Sequence, residues 1–407
     1  MYRLSLSPLD PDFVQNPYAA YDRARAAGPV VFWEDFNMLA AFDAATVQSL
    51  LRDRRLGREK PAALRSPYPA HLAAWASVEA TSMLELEPPH HTRLRSLVLR
   101  AFTSRRIANL TPDIKAVTHD LLTALPSDPF DLIPAFCTQL PVRIIARLLG
   151  VPESMSDDLL RWSNAMVAMY QAGRTTAIEA AANQASADFT SFLQGYINQR
   201  RNDPRDDLIT QLIAAEEDGE KLSTEELIGT CILLLNAGHE ATVHSLGNAV
   251  KCLLEHQTPR SALSPDRIAA TVEELLRFDP PLHMFTRFAY EDIELGDITL
   301  PENAEIALVL GSAGRDPAVW NKPSVFDPDR AVRPHAAFGG GLHFCVGAPL
   351  ARLELQVALP ALFAHMPEMA LAMRPSYANS YHFHKLDKLM IDPQVGSGSR
   401  IASATSL

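Results

Sequence analysis

Phe338–Arg352 reads FGGGLHFCVGAPLAR, and the reading of this stretch decides what the rest of the chain is for. Three glycines in a row allow backbone conformations and close approaches that any side chain would block. Cys345 follows three residues after the run, then Gly347, Pro349 and the helical pattern LARLELQVALPAL. Proline suits the first turn of a helix, where a missing N–H costs little. The cysteine is therefore expected just before a helix N-terminus, where free amide groups and the helix dipole favour an anion. A thiolate held there suits a nucleophile or an axial metal ligand. A lone cysteine is more often a small buried apolar residue, but the residues flanking this one are not those of a plain core position.

Working outward, the chain has 407 residues, 47% of them hydrophobic, and a net charge of −11. That acidic balance argues against a nucleic-acid partner and against an anionic membrane surface. The four cysteines, Cys137, Cys231, Cys252 and Cys345, form no paired spacing, which fits a reducing compartment better than a disulfide scaffold. The N-terminus lacks the apolar run of a signal peptide, and no stretch approaches the length of a membrane span. A soluble, cytoplasmic, monomeric protein is expected. One domain should cover residues 1–395, with a small-residue, polar and disordered tail over 396–407.

Helices are predicted at NPYAAYDRARAAG and TVQSLLRD, and two short strands within GPVVFWEDFNMLAAF. Residues 57–83, with Pro61, Pro67 and Pro69, read as loop and short helices. In ELEPPHHTRLRSLVLRAFTSRR a proline stop precedes a helix that places His91 and Arg95 on one face. Residues 107–220 read as helices broken at Pro126, Pro129, Pro141, Pro152 and Pro204. Residues 223–257 carry the longest helical signal. Ser223 and Glu226 make a capping box, and the apolar residues run nearly all round, so this helix should be buried. Gly238, His239, Glu240 and Thr242 in its middle must then be hydrogen-bonded or functional. PDRIAATVEELLRF is a helix with Glu274 and Arg277 three apart, a natural ion pair. Short strands and turns follow. Together these patterns give a mainly α fold with small β-sheets.

The cysteine stretch resembles the haem-binding loop of the cytochrome P-450 family, FGxGxHxCxGxxLAR, with every fixed position filled. Three further segments resemble the family in the same order: HTRLR, AGHE and ExxR, spanning 90–352 with the loop. The resemblance implies a single fold of that type with a long central helix over haem b, and Cys345 as the axial ligand of the haem iron. It implies that His91, Arg95, Arg287 and His343 hold the haem carboxylates, that Phe338 and Gly347 shape the cofactor loop, and that Glu274 and Arg277 lock the fold behind it. Glu240 matches the acid of the central-helix motif, but Ala241 stands where the family usually has threonine, and Thr242 follows. One residue is a rotation of about 100° on a helix, so Thr242 does not simply replace the missing hydroxyl. Three outcomes are then open: a substrate hydroxyl or an ordered water completes proton delivery, the enzyme activates oxygen but leaks peroxide, or it uses hydrogen peroxide directly. Asn236, Ala237, Leu282, His283 and Phe285 fall where the substrate pocket is expected. Arg93, Arg100 and Arg352 are expected on the proximal face, where the family docks a ferredoxin. The activity implied is a monooxygenase fed by NAD(P)H through ferredoxin reductase and ferredoxin. A peroxide-using peroxygenase and a non-catalytic haem-binding protein are the rival classes. Zinc is a poor rival to haem, because no second ligand pair has the usual spacing.

Overall fold

Thr224–Glu255 forms one unbroken helix through the middle of the protein. Its start is set by the capping box, in which both reciprocal bonds of Ser223 and Glu226 are present, and its length by a nearly continuous apolar circumference. This computed structural model describes residues 1–170, 174–217, 220–381 and 383–394. The tail expected over 396–407 lies outside the described residues.

The other long helices pack on this axis. Gln139–Leu149, Ser156–Val167, Thr176–Asn202, Ile268–Phe278 and Ala348–His365 share one continuous core with it, through residues such as Ile144, Phe189, Leu235, Leu246, Leu275 and Leu359. Each such side chain taken fully from water contributes about 2 kcal/mol before conformational entropy is subtracted. Pro141 does not break its helix as expected. It sits in the first turn of Gln139–Leu149, where its missing N–H has no partner to lose.

A six-stranded mixed sheet lies beside this body, in the order Arg3–Leu4, Val30–Trp33, Met38–Ala41, Glu305–Val309, Met284–Ala289, Leu56–Gly57. Period-2 alternation splits its side chains. Leu39, Ala41, Ile306 and Leu308 pack on one face, and Val31, Trp33, Ala40 and Val309 on the other. The sheet matters because Met284–Ala289 pairs antiparallel with Glu305–Val309 and thereby presents Arg287. The architecture is mainly α with small sheets, as expected.

The helix Ile268–Phe278 carries the clamp. Arg277 donates to both oxygens of Glu274 at 2.7 Å, and its Nη1 donates to Gly314 O at 2.7 Å and Pro323 O at 3.0 Å. Glu274 also accepts from Arg330 Nε at 3.0 Å and from the Asp327 backbone N–H at 2.9 Å. The pair thus pins residues 314–330, the segment leading into the cysteine loop, to the helical body.

Candidate active site

Cys345 lies three residues before the helix Ala348–His365. The loop is built by glycines that nothing else could replace. Gly339 and Gly341 have φ of +69° and +65°, and a Cβ on Gly341 would lie 2.3 Å from Leu51 O. The Cys345 N–H donates to Phe338 O at 3.1 Å. Burial pushes the thiol up, while the Gly347 and Ala348 N–H groups, Arg95 and Arg352 act in the opposite sense. Yet the residue has an exposed surface. A group that is accessible and desolvated at once faces an enclosed hollow. The central helix has an open stretch of its own: Ala237 is exposed, and Asn236, Gly238, Glu240 and Ala241 are half-buried.

Around the hollow stands a set of cationic and neutral-basic groups short of an anion. Arg287 is only 3% exposed, donates through Nη1 to Thr286 O at 2.8 Å, and pairs with no carboxylate among the described residues. Burial, with Arg58 nearby, pulls its pKa down to about 10. His91 is buried with Nδ1 unpartnered. Burial, His343 and Arg95 push its pKa down to about 4, and its ring lies 4.3 Å from that of His343. Arg95 donates to Phe344 O at 2.6 Å. A buried guanidinium without a counter-ion is expensive. Two carboxylates of a bound group would complete these side chains, so the residues present fit a haem held through Cys345.

On the central helix, Glu240 lies 3.2 Å from His244 Nε2 and 3.5 Å from His239 Nε2. Burial would raise its carboxyl pKa, but His244, then His239 and Lys385, bring it to about 2. His239 itself stays neutral, because burial depresses its pKa more than Glu240 raises it. Its Nδ1–H donates to Leu235 O at 2.9 Å, which leaves Nε2 without a partner. Thr242 is 4% exposed, with its hydroxyl 3.4 Å from Gly238 O. The helix is unbroken there, so the Thr242 side chain points away from the face of Ala237 and Ala241.

Four placements correct the sequence reading. His283 does not line the pocket. It is 1% exposed, with Nδ1 3.0 Å from Tyr21 OH and Nε2 3.6 Å from Asp279, in a buried cluster with His384 on the far side of the sheet. It lies just before the strand Met284–Ala289, outside the pairing that places Phe285, so the strand's alternation does not set its direction. Phe285 packs against Gly339 and under Arg287 at 6.0 Å, beside the cysteine loop. Arg93 is committed to an ion pair with Glu226. Arg352 binds both oxygens of Glu273, at 2.5 and 2.9 Å, and covers the Phe338 ring at 4.4 Å, so it is an internal brace. Arg100 is exposed, and Leu282 is half-buried.

Two site residues escaped the sequence reading. Glu87 accepts from His343 Nε2 at 2.8 Å and from the Arg58 backbone N–H at 2.7 Å; its only sequence signal is its place before Pro88–Pro89. Arg330 joins the Glu274 clamp from 56 residues away.

Glu273 resembles Glu240 electrostatically: burial is overcome by His335 and Arg352, and its pKa falls to about 2. A depressed carboxyl stabilises the fold above its unfolded pKa, about 4.3, and this contribution is lost as pH falls toward 2. Glu273→Gln is therefore expected to cost on the order of 2 kcal/mol at pH 7, and to match the parent protein's stability near pH 2. Denaturant unfolding at both pH values, followed by circular dichroism, checks this; an unchanged gap at low pH would refute it.

The family model described as Cytochrome P-450 matches residues 154–264 and 268–366. The chain is 38% identical over 368 residues to a vitamin D(3) 25-hydroxylase of Pseudonocardia autotrophica, covering 89% of each chain. It is 34% identical to a 6-deoxyerythronolide B hydroxylase of Saccharopolyspora erythraea, covering 88% of this chain and 90% of that one. Among solved structures, P450BioI in complex with hexadec-9Z-enoic acid ligated acyl carrier protein superposes with a TM-score of 0.88 at 32% identity, covering 94% and 98% of the two chains.

Proposed function

The chain belongs to the cytochrome P-450 family and is a monooxygenase of that class, and from that premise we propose that it inserts one oxygen atom from O2 into a small or medium-sized apolar organic molecule, using haem b and electrons passed from NAD(P)H through a ferredoxin reductase and a ferredoxin. The observation that carries this reading is the accessible Cys345 thiol in its glycine loop, together with a buried Arg287 that meets no carboxylate among the described residues and a buried His91 with Nδ1 unpartnered.

Haem, when bound, supplies the oxygen activation that no side chain provides. Cys345 Sγ is its ligand, and a thiolate there donates electron density toward the metal. The Gly347 and Ala348 N–H groups moderate that donation by hydrogen bonding to the sulfur. Arg287, His91, Arg95 and His343 hold the carboxylates, and Glu87 orients His343. Apolar walls exclude water. Glu240 stays ionised at neutral pH and is positioned by His244 to take up and return protons at its carboxylate. No hydroxyl at position 241 relays them, so a hydroxyl of the substrate or an ordered water beside Ala241 completes the path. The relatives named for vitamin D(3) and for a hexadec-9Z-enoic acid chain support an apolar substrate.

Two measurements test the reading. The ferrous carbon monoxide complex should show the long-wavelength Soret band of thiolate ligation, and its absence would refute Cys345 as ligand. Product formation should require NAD(P)H, reductase and ferredoxin; full turnover with hydrogen peroxide alone would transfer the protein to the peroxygenase class. Ala241→Thr is expected to change the ratio of product formed to peroxide released several-fold under saturating electron supply. Unchanged turnover and unchanged peroxide release would show that position 241 does not limit proton delivery.

A further inference from the structure

Beyond the haem-carboxylate cluster lies a second charged group that the reaction described above does not use. Arg58 donates through Nε to Leu84 O at 2.8 Å and through Nη2 to Glu85 at 2.5 Å. Glu79 stands in the same group and feels Arg58, but among the described residues it makes no direct ion pair, and its carboxylate accepts from Tyr170 OH at 2.8 Å. Two acids thus share one arginine, and Glu79 is the one without a direct cationic contact. Aromatic rings enclose it. Tyr68 meets Trp75 edge-on at 5.2 Å, and Trp75 lies 6.4 Å from Tyr170.

Tyr68 and Tyr170 are 52% and 37% exposed, yet burial pushes both phenols up. That is the combination seen at Cys345: surface open to water inside an enclosure. The same burial, opposed by Tyr170, lifts Glu79 to about 7. The enclosure adjoins the haem hollow. The Arg58 backbone N–H is held by Glu87, which holds His343. Thr81 packs directly on Gly229 of the central helix, two turns and about 12 Å along the axis from Ala237.

A carboxylate lacking its cation, among aromatic rings, is the chemistry that recognises an organic ammonium ion. We propose that Glu79, with Tyr68, Trp75 and Tyr170 around it, is a binding subsite for a substrate ammonium group, so that the substrate is an apolar molecule carrying an amine at the end away from the carbon presented at Ala237. This rests on the monooxygenase reading, because it assigns the far end of that enzyme's substrate.

The test uses the haem-loaded full chain at pH 8, where Glu79 is ionised. The probes are dodecyltrimethylammonium, which is unable to ligate iron, and 1-dodecanol and dodecanoate as neutral and anionic controls. Calorimetric titration should give a Kd for the ammonium at least tenfold below that for the alcohol, with dodecanoate weakest. Glu79→Gln should weaken the ammonium about tenfold and leave the alcohol unchanged. Tyr68→Leu, at a half-exposed ring, should also weaken the ammonium selectively, and it gives the answer if the Glu79 variant fails to fold. Equal affinity for ammonium and alcohol, or equal weakening of both probes by both variants, overturns the subsite. A protein lacking the long-wavelength carbon monoxide band while keeping the ammonium preference would instead overturn the haem-thiolate reading.

Discussion

An Arg277→Met variant is expected to accumulate little folded, haem-loaded protein. Its side chain is 1% exposed and that of Glu274 2%, so removing the guanidinium leaves a buried carboxylate with only Arg330 and the Asp327 N–H as donors among the described residues and takes the donor from Gly314 O and Pro323 O. Breaking one side of such a pair costs about 3–5 kcal/mol, against a total stability of roughly 5–15 kcal/mol for a typical protein. Arg277→Lys should fare little better, because an ammonium lacks the planar fork that serves two carboxylate oxygens and two carbonyls together. Thermal unfolding and haem content per chain measure the effect. A variant with the parent's melting temperature and full haem would show that residues 314–330 are held by other contacts.

Cys345→Ala is expected to do the opposite: keep the fold and lose the chemistry. The thiol faces the hollow and anchors no packing, while the loop's shape rests on Gly339, Gly341 and the Cys345 N–H to Phe338 O bond, all of which survive the change. Haem should still enter, held at its carboxylates by Arg287, His91, Arg95 and His343. Turnover should fall to background, and the long-wavelength carbon monoxide band should disappear with circular dichroism unchanged. A variant that retained that band would require a different axial ligand.

These two expectations divide along the line between local pattern and tertiary contact. Cys345, the glycines before it and the helix after it are legible because a tight loop running into a helix N-terminus is specified by neighbours in sequence. The Ser223–Glu226 cap, the buried central helix and the Glu274–Arg277 spacing are legible for the same reason. His283 was misplaced because it precedes the strand, outside the pairing that places Phe285, and its neighbours Tyr21 and His384 come from distant parts of the chain. Arg93 and Arg352 look like a free basic face until Glu226 and Glu273, contributed by other helices, neutralise them.

By itself the sequence determined the tight cysteine loop ahead of a helix, the mainly helical class and the absence of a hydroxyl at Ala241, all of which follow from residue types at short spacing. Only the tertiary structure decided which charges are spare. Among the described residues Arg287 has no carboxylate partner, His91 Nδ1 has no hydrogen-bond partner and Glu79 makes no direct ion pair beside its aromatic rings, while Arg330 completes a clamp across 56 residues. The physical reason is that a charge is free or satisfied according to what burial brings within about 4 Å of it, and such neighbours come from anywhere along the chain.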